Sequence, residues 1–218
     1  TLLIGVFAFS LQIYGDFSGY SDMGRGISRL MGIELDRNFE EPYLSRNITE
    51  FWRRWHISLG KFFRDYVYIP LGGSRGGALM SVKNTFIIFI VSGFWHGANW
   101  TFVAWGALNA IYFLPLLLMK RNRDNIEIIA MGKTLPTVKE VWAMLTTFGL
   151  TVFAWIFFRA DDIPMAWGYI RQIGISLVQH PSQLLKLTEG KIAFVYILPL
   201  IVGDWYVRRD ERQLKELM

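Results

Sequence analysis

A stretch of 36 residues without a charged side chain, between Lys83 and Lys120, limits what this chain can fold into. As one continuous helix it would be about 54 Å long, whereas the hydrocarbon core of a bilayer is about 30 Å thick. We therefore expect the stretch to break in SGFWHGAN, where Gly93 and Gly97 lie on either side of a histidine.

The two halves of this stretch have different expected lengths. Residues 100–119 are long enough for a full span. Residues 84–95 would form a helix of only about 18 Å. This first half either takes additional residues from 78–83 or enters the membrane and stops part-way. We predict that 84–119 is a re-entrant or transmembrane segment.

Three other apolar stretches support a membrane protein. Residues 141–158 contain 18 uncharged positions, and shorter uncharged stretches occupy 1–15 and 192–203. The expected fold class is all-α, a polytopic membrane protein with transmembrane, re-entrant and interfacial amphipathic helices. No internal repeat is evident.

Composition excludes several function classes. The formal net charge is +5, but the basic residues lie between long apolar stretches instead of forming one polar surface, so we expect no nucleic-acid partner. The chain has no Cys, which excludes disulfides, thiolate metal sites and a Cys nucleophile.

The termini and the basic residues of the loops predict how the chain sits in the membrane. The sequence starts with Thr1 inside an apolar stretch, so we expect residues 1–218 to be a single membrane-embedded domain that forms the C-terminal portion of a larger protein. Five Lys or Arg lie in 120–140 and four in the short tail 204–218, against four in the longer segment 159–191. The positive-inside rule then predicts a multi-pass cell-membrane protein whose C-terminus is cytoplasmic and whose segment 159–191 is outside.

Residues 47–66 have the pattern of an interfacial amphipathic helix. Asn47 and Glu50 form an N-terminal capping pair. At 100° per residue, one side is aromatic and the other is charged, which is typical of a helix in the membrane interface. The alternative is an amphipathic helix packed on a protein core. The side chains expected at the interface include Trp52, Arg53, Arg54 and Trp55.

His96 is the strongest candidate for chemistry. It is the one group that titrates near neutrality within the uncharged stretch, and an ionisable group inside a membrane suggests function. If the helix continued through it, Ser92, Gly93, Asn99 and Trp100 would share its face. The alternatives are a structural histidine, and a Gly93/Gly97 pair that serves close helix packing.

Other candidates are weaker on sequence alone. His56 lies at the edge of the aromatic side of 47–66, where an interfacial structural role is the stronger interpretation. His180 is assigned no role. Asp16 and Asp22 are expected to be solvated at the end of the first span, with ion pairs to arginines such as Arg25.

Two competing motifs do not fit their usual context. The segment GGSRG, residues 72–76, matches G-x-S-x-G, but Pro70 and the surrounding glycines indicate a loop instead of the strand that a nucleophile elbow requires. Neither His56 nor His96 has a second ligand at metal-binding spacing, so we predict no metal site.

Several segments resemble the membrane-bound O-acyltransferase family, most closely its alginate O-acetyltransferase branch, which is similar to the D-alanyl transferase of teichoic acid modification. They occur in the family's order, and two strings, W-x-x-W-H-x-S-L and W-H-G-x-x-W, are specific. The segments are DFSGYSDM (16–23), EPYLSRNITEFWRRWHISLGKFFRDYVYIPLGG (41–73), SGFWHGANWTFVAWGALNA (92–110) and WIFFRA (155–160).

The resemblance implies an enzyme whose catalytic histidine is His96 and whose second characteristic histidine is His56, both in one cavity. Trp95, Asn99 and Trp100 would line that cavity. No cofactor would be bound. The resemblance implies a cytoplasmic thioester donor, acetyl-CoA or an acyl carrier, and a hydroxyl acceptor such as a cell-surface polysaccharide. It also implies an extracytoplasmic acyltransferase partner beside the lipid bilayer.

Other functions remain open at this point. The acyl group could be D-alanyl, transferred to teichoic acid. The basic side of 47–66, with Arg53, Arg54 and Lys61, could bind lipid phosphates or a donor nucleotide, of which lipid is favoured. A non-enzymatic transporter or scaffold would use similar helices, although a transporter is expected to show paired broken helices in two repeated halves.

Overall fold

The computed structural model describes residues 2–131, 133–179 and 191–208. Within these ranges the regular secondary structure is helical, apart from one isolated antiparallel β-bridge between Phe39 and Trp55. The α-helices are α1 (Leu2–Leu30), α2 (Ile48–Arg54), α3 (Ile57–Phe63), α4 (Gly77–His96), α5 (Trp100–Leu118), α6 (Val138–Arg159), α7 (Ile163–Gln179) and α8 (Lys191–Val207). A 3₁₀ turn covers Pro42–Leu44, and a π-helical turn covers Arg64–Tyr68.

Helices α4 and α5 form a closely packed antiparallel hairpin. A Cβ atom on Gly93 would lie 2.3 Å from the carbonyl oxygen of Phe102, and one on Gly106 would lie 2.3 Å from that of Phe89. The two backbones approach so closely that no side chain fits at either position, and small residues permit such an approach in membrane helices. Of the Gly93/Gly97 pair, Gly93 therefore serves close helix packing, whereas Gly97 lies just beyond the end of α4.

The break in the uncharged stretch lies where the sequence predicts it. Helix α4 ends at His96, and α5 begins at Trp100 after a short turn whose Asn99 side chain caps α5. Helix α4 starts at Gly77, so it takes the additional residues expected from 78–83. With 20 residues it is about 30 Å long and can cross a bilayer.

Helix α6 packs antiparallel to α5 through aromatic rings. The Trp105 and Trp155 rings stack at 5.8 Å, and the Phe102 and Phe158 rings meet edge to face at 5.0 Å. The amide of Asn99 donates a hydrogen bond of 2.7 Å to the Asp161 carbonyl. The turn after α4 and the turn after α6 are therefore at the same end of the bundle.

The opposite end of the bundle carries the loop between α5 and α6 and the end of α8. Arg208, directly after α8, donates to the carbonyl of Thr134 in that loop at 3.2 Å. The two segments that the basic residues predict to be cytoplasmic thus begin at one end of the molecule. The tail beyond Arg208 lies outside the described residues, as does His180.

Four described helices are long and apolar enough to cross a membrane, namely α1, α4, α5 and α6. The first differs from expectation, because α1 continues past Asp16 to Leu30. Asp16 is exposed on this helix and Asp22 pairs with Arg25 at 3.3 Å, so neither charge ends it. Segment 159–191 also differs, since α7 occupies much of what was expected to be loop.

The single amphipathic helix predicted for 47–66 is wrong, because the backbone breaks at Trp55 and His56. Trp55 is extended and His56 is left-handed, which divides the segment into α2 and α3. The predicted capping pair is present, since the Asn47 side chain accepts a hydrogen bond from the Glu50 backbone. The aromatic side of α2 faces protein, with Phe51 1% and Trp55 5% exposed. For this half, the alternative of packing on a core is correct.

Candidate active site around His56 and His96

The break between α2 and α3 places His56 among aromatic rings. Its backbone is left-handed at φ 46° and ψ 54°, a conformation that non-glycine residues adopt rarely. The imidazole stands edge-on to Phe17 of α1 with ring centroids 4.7 Å apart, and Phe39 lies 6.5 Å away. Its Nδ1 atom is buried and has no hydrogen-bond partner in the part of the chain that the structure describes.

His96 is the last residue of α4 and is surrounded by rings from the neighbouring helices. Trp105 of α5 meets it edge to face at 5.2 Å, and Phe158 of α6 does so at 5.1 Å. Phe102 lies 6.3 Å away. The imidazole is half-buried. Its position therefore depends on three helices at the end of the bundle where α4 turns into α5.

One tryptophan contacts both histidines. The Trp95 ring is 6.4 Å from the ring of His56 and 5.0 Å from that of His96. Residues that are 40 positions apart in sequence are thus brought to the same aromatic wall. The structure brings the two histidines close together, but of the two His56 alone lines the cavity described next, and their catalytic roles remain predictions.

A cavity of about 1090 Å³ extends from the other end of the bundle to His56. Thr85, Phe89 and Ser92 of α4 line it, and His56 borders it. Ser92 lies one helical turn before His96 and on the same face of α4. Among the described residues that line the cavity, Ser92 is the α4 residue nearest in sequence to His96, and neither His96 nor Trp95 is included. Asn122 and Arg208 line the cavity at the end where the loop after α5 meets α8.

Burial controls the charge of His56. Loss of solvent lowers the pKa of its imidazole to about 4, so the ring is neutral at pH 7. A neutral imidazole can accept a proton or a hydrogen bond, which a protonated one cannot do. The aromatic surroundings that position the ring therefore also keep it in the form that acid–base chemistry requires.

The charged side of α2 holds the protein together instead of facing solvent. Glu50 is 1% exposed and pairs with Arg46 at 3.2 Å and with Arg54 at 3.0 Å. Arg46 also reaches Glu140 of α6 at 3.6 Å. Sequence periodicity put Glu50 on the polar side, but it could not indicate that two arginines bury this carboxylate against α6.

The arginines expected to meet lipid are also bonded to protein. Arg53 donates to the carbonyls of Asn122, Asp124 and Asn125, at distances of 2.9–3.3 Å. Arg54 pairs with Glu50 and with Glu41. The position of these two side chains at the lipid interface stays a prediction, since Arg53 is exposed and Arg54 is half-buried. Arg53 fixes the loop after α5 beside the cavity that it also lines.

The remaining predicted site residues have mixed placements. Trp52 lines the cavity and donates a hydrogen bond of 3.3 Å to Asn109 of α5, whereas Trp55 is buried in the core. Asn99 caps α5 and bonds the Asp161 carbonyl, which gives it a structural role. Trp100 is 75% exposed. Because α4 ends at His96, the shared helical face expected for Asn99 and Trp100 is not formed.

Sequence reasoning missed three aromatic residues that surround the histidines. Phe17 contacts His56, while Trp105 and Phe158 contact His96. All three lie inside the segments that carry the family resemblance, which is the signal that could have indicated them. Their apolar character alone does not distinguish them from other core rings.

The competing motifs gain no support from the structure. Segment GGSRG follows the π-helical turn Arg64–Tyr68 and leads into α4, so no strand precedes Ser74 within the described chain. The amide of Asn84 holds this loop by donating to the carbonyls of Leu71 and Gly73. Among the described residues, no group of three His, Cys, Asp or Glu side chains could hold a metal ion.

Comparison with known proteins identifies the family. The sequence profile of MBOAT, the membrane-bound O-acyltransferase family, matches residues 2–159, which include both histidines and the helices around them. The chain belongs to the membrane-bound O-acyltransferase family. Both W-H strings and the aromatic wall lie within the matched part.

Relatives within this family modify different polymers. The chain is 43% identical over 222 residues to the probable alginate O-acetylase AlgI of Pseudomonas fluorescens, covering 97% of this chain and 42% of that protein. It is 42% identical over 174 residues to the peptidoglycan O-acetyltransferase of Helicobacter pylori, covering 78% of this chain and 32% of that protein. The teichoic acid D-alanyltransferase of Bacillus subtilis is 33% identical over 116 residues, covering 50% of this chain and 29% of that protein.

The chain spans about a third to two-fifths of the length of the alginate and peptidoglycan relatives. Within that part lie the helices that carry both histidines. Family membership and the membrane character of α1, α4, α5 and α6 are thus established for this chain.

Proposed function

We propose that the protein transfers an acetyl group from a cytoplasmic thioester donor to a hydroxyl of a cell-surface polysaccharide, with His96 as general base. One observation carries this proposal. The Trp95 ring contacts both His56 and His96, and His56 also lines a cavity that begins at the other end of the bundle. Similarity to proteins named as alginate O-acetylase and peptidoglycan O-acetyltransferase supports acetyl as the acyl group.

In the proposed reaction, the acceptor hydroxyl oxygen attacks the thioester carbonyl carbon while His96 accepts the hydroxyl proton. The tetrahedral intermediate collapses as the carbon–sulfur bond breaks. The thiolate leaves and takes the proton from His96, which restores the neutral imidazole. The rings of Trp105 and Phe158 limit water near this imidazole, which protects the thioester from hydrolysis.

His56 would act from the cavity side. Its imidazole borders the cavity and is neutral at pH 7. In this proposal it forms a hydrogen bond to the bound acyl donor near the reacting carbonyl. The protein itself holds no cofactor in this scheme, because CoA or an acyl carrier arrives and leaves as a substrate.

The proposed donor path follows the cavity. Thr85, Phe89 and Ser92 lie along about 11 Å of α4 as it approaches His96. Arg53 and Arg64 line the cavity, and Arg64 is paired with Asp65 at 2.7 Å. In this proposal Arg53 supplies positive charge suited to the phosphates of a nucleotide or carrier donor. The loop after α5, predicted to be cytoplasmic, lines the same end.

The acceptor would arrive from the opposite side. His96 lies beside the turn between α4 and α5, which is at the end of the bundle away from the predicted cytoplasmic loop. We propose that the polysaccharide, or an extracytoplasmic acyltransferase that passes the acetyl group on, reaches the imidazole there. The proposed orientation places the C-terminus in the cytoplasm.

His96→Ala in the full-length protein tests the proposal. Loss of a general base is expected to reduce acyl transfer by about 100-fold to 10,000-fold. Ester-linked acetyl on cell-surface glycans, measured by mass spectrometry, should fall accordingly, while the amount of protein in the membrane should not change. The comparison variant is Asn99→Ala, three residues away, which removes the N-cap of α5 and leaves the proposed base in place. Retained acetylation with His96→Ala would end the assignment.

A second candidate is D-alanyl transfer to teichoic acid. Similarity to teichoic acid D-alanyltransferases supports it, although that match covers half of this chain. The same mass spectrometry distinguishes the two functions, because a D-alanyl ester and an acetyl ester differ in mass and only one should disappear with His96→Ala.

A further inference from the structure

The backbone of His56 has a strained, left-handed conformation. A left-handed conformation is sterically unfavourable for a residue other than glycine. Such conformations persist where surrounding contacts impose them, and they are frequent at functional sites. Contacts on both sides of His56 must therefore hold the chain in this conformation.

The segment before α2 provides these contacts. On one side of His56, the Glu40 backbone donates to the Arg54 carbonyl at 3.0 Å, next to the bridge between Phe39 and Trp55. On the other side, the Ile57 backbone donates to the Asn38 carbonyl at 3.0 Å. Residues 38–40 thus hold both ends of the turn that contains His56.

Asn38 also replaces His56 as the cap of α3. A helix leaves its first backbone N–H groups without partners, and the N-cap side chain commonly accepts from one of them. His56 occupies the N-cap position of α3, but its side chain makes no capping bond in the described structure. The Asn38 side-chain oxygen accepts from the Ser58 backbone at 3.2 Å and from its hydroxyl at 2.6 Å.

The amide nitrogen of the same side chain links this turn to α1. It donates to the Ser21 hydroxyl at 3.1 Å. Phe17, one helical turn earlier on α1, contacts the His56 ring. Asn38 therefore connects the helix that follows His56 to the helix that packs on its imidazole.

We infer that Asn38 is a positioning residue for His56: it caps α3 from outside, so the imidazole does not serve as the cap and is held at the cavity. This inference rests on the proposed function, in which His56 acts on the donor. Without the Asn38 oxygen, the backbone N–H and the hydroxyl of Ser58 lose their acceptor. The turn can then relax, and His56 leaves its left-handed conformation.

The test uses four variants of the full-length protein: Asn38→Ala, Asn38→Asp, Ser21→Ala and the control Glu34→Gln. Glu34 lies in the same segment and is exposed, with an ion pair to Arg29 at the surface. The measurements are kcat and KM for acyl transfer and the midpoint of thermal unfolding in detergent.

Asn38→Ala should lower kcat by about tenfold, equivalent to about 1.4 kcal/mol, with KM for the donor and the unfolding midpoint little changed. Asn38→Asp keeps the oxygen that accepts from Ser58 and should restore most of kcat. Ser21→Ala should have a smaller effect, because it removes only the link to α1. Glu34→Gln should match the wild type.

Three results would overturn the inference: normal kcat in Asn38→Ala, no rescue in Asn38→Asp, or a loss of kcat that follows a loss of folded protein. His56→Ala, measured in parallel, separates this failure from failure of the proposed function. If His56→Ala is as active as the wild type, His56 has no part in transfer and both ideas fail. If His56→Ala is inactive and Asn38→Ala is normal, the positioning role alone fails.

Discussion

Gly106→Ala should separate α4 from α5 and thereby displace the aromatic wall. The added Cβ would lie 2.3 Å from the carbonyl oxygen of Phe89 and 3.0 Å from its carbonyl carbon. Both atoms belong to the backbone of α4, so a side-chain rotation cannot relieve the contact. Trp105, the residue before Gly106, packs edge to face on His96, so a shift of α5 also changes the site.

The expected loss of stability in Gly106→Ala follows from the geometry of this contact. An ordinary carbon–oxygen contact is about 1 Å longer than 2.3 Å, so the helices must move apart by roughly that amount along the contact direction. Overpacking a well-packed contact costs typically about 1–3 kcal/mol. Alanine otherwise favours a helix by about 1 kcal/mol over glycine. Because the contact is with backbone atoms, the upper end of the overpacking range applies, and the net loss is expected to be about 2 kcal/mol.

The matched control is Gly149→Ala in the middle of α6, where an added Cβ meets nothing within 4 Å. It should be neutral or stabilising, because only the helix propensity changes. The assay is reversible unfolding of the purified full-length protein in detergent, combined with the rate of acyl transfer. Equal stability of Gly106→Ala and the wild type, or equal damage by Gly149→Ala, would refute the close-packing argument.

Three other measurements test separate parts of the structure. Glu50→Gln removes the buried carboxylate between Arg46 and Arg54, which keep Glu140 and Glu41 as partners, and should cost about 2 kcal/mol of unfolding free energy. The exposed Glu34→Gln should cost less than about 0.5 kcal/mol, and similar losses in the two variants would contradict the buried network. Burial lowers the pKa of the His56 imidazole to about 4, against 6.5 for the unfolded chain. Between these two pH values the unfolded state binds a proton at His56 that the folded state does not bind. The wild type should therefore lose more stability than His56→Gln as the pH falls from about 6.5 to about 4. Parallel pH curves for the two proteins would argue against a buried neutral imidazole. In a cysteine-free full-length protein, Val178→Cys should react with an impermeant thiol reagent from outside and Met131→Cys should be protected; the reverse result would invert the proposed orientation.

The membrane-crossing helices could be predicted largely from the sequence. The uncharged stretch between Lys83 and Lys120 required a break, and Gly93 to Asn99 was the segment predicted to contain it. Hydrophobicity accumulates along contiguous residues, so a span is a local property that needs no knowledge of its neighbours. Helix α1 continues past Asp16, because an exposed charged side chain is compatible with a helix, so the first charge after an apolar stretch does not mark where the helix ends.

The amphipathic pattern of 47–66 was harder to interpret. Periodicity identifies which side of a helix is apolar, but a protein core and a membrane interface both accept such a side. Phe51 and Trp55 are buried against other helices, and Arg53 and Arg54 bond to carbonyls and carboxylates from distant segments. Those partners are non-local, so the pattern could not indicate them.

By itself the sequence determined that this is an all-helical membrane protein, that its longest apolar stretch turns near His96, and that it resembles the O-acyltransferase family. Only the tertiary structure brought His56 and His96 into contact with the same Trp95 ring, buried Glu50, and linked Asn38 to the start of α3. The physical reason is the range of the interactions. Apolar length and helix breaks depend on neighbouring residues, whereas a site depends on which distant side chains the folded helices bring into contact.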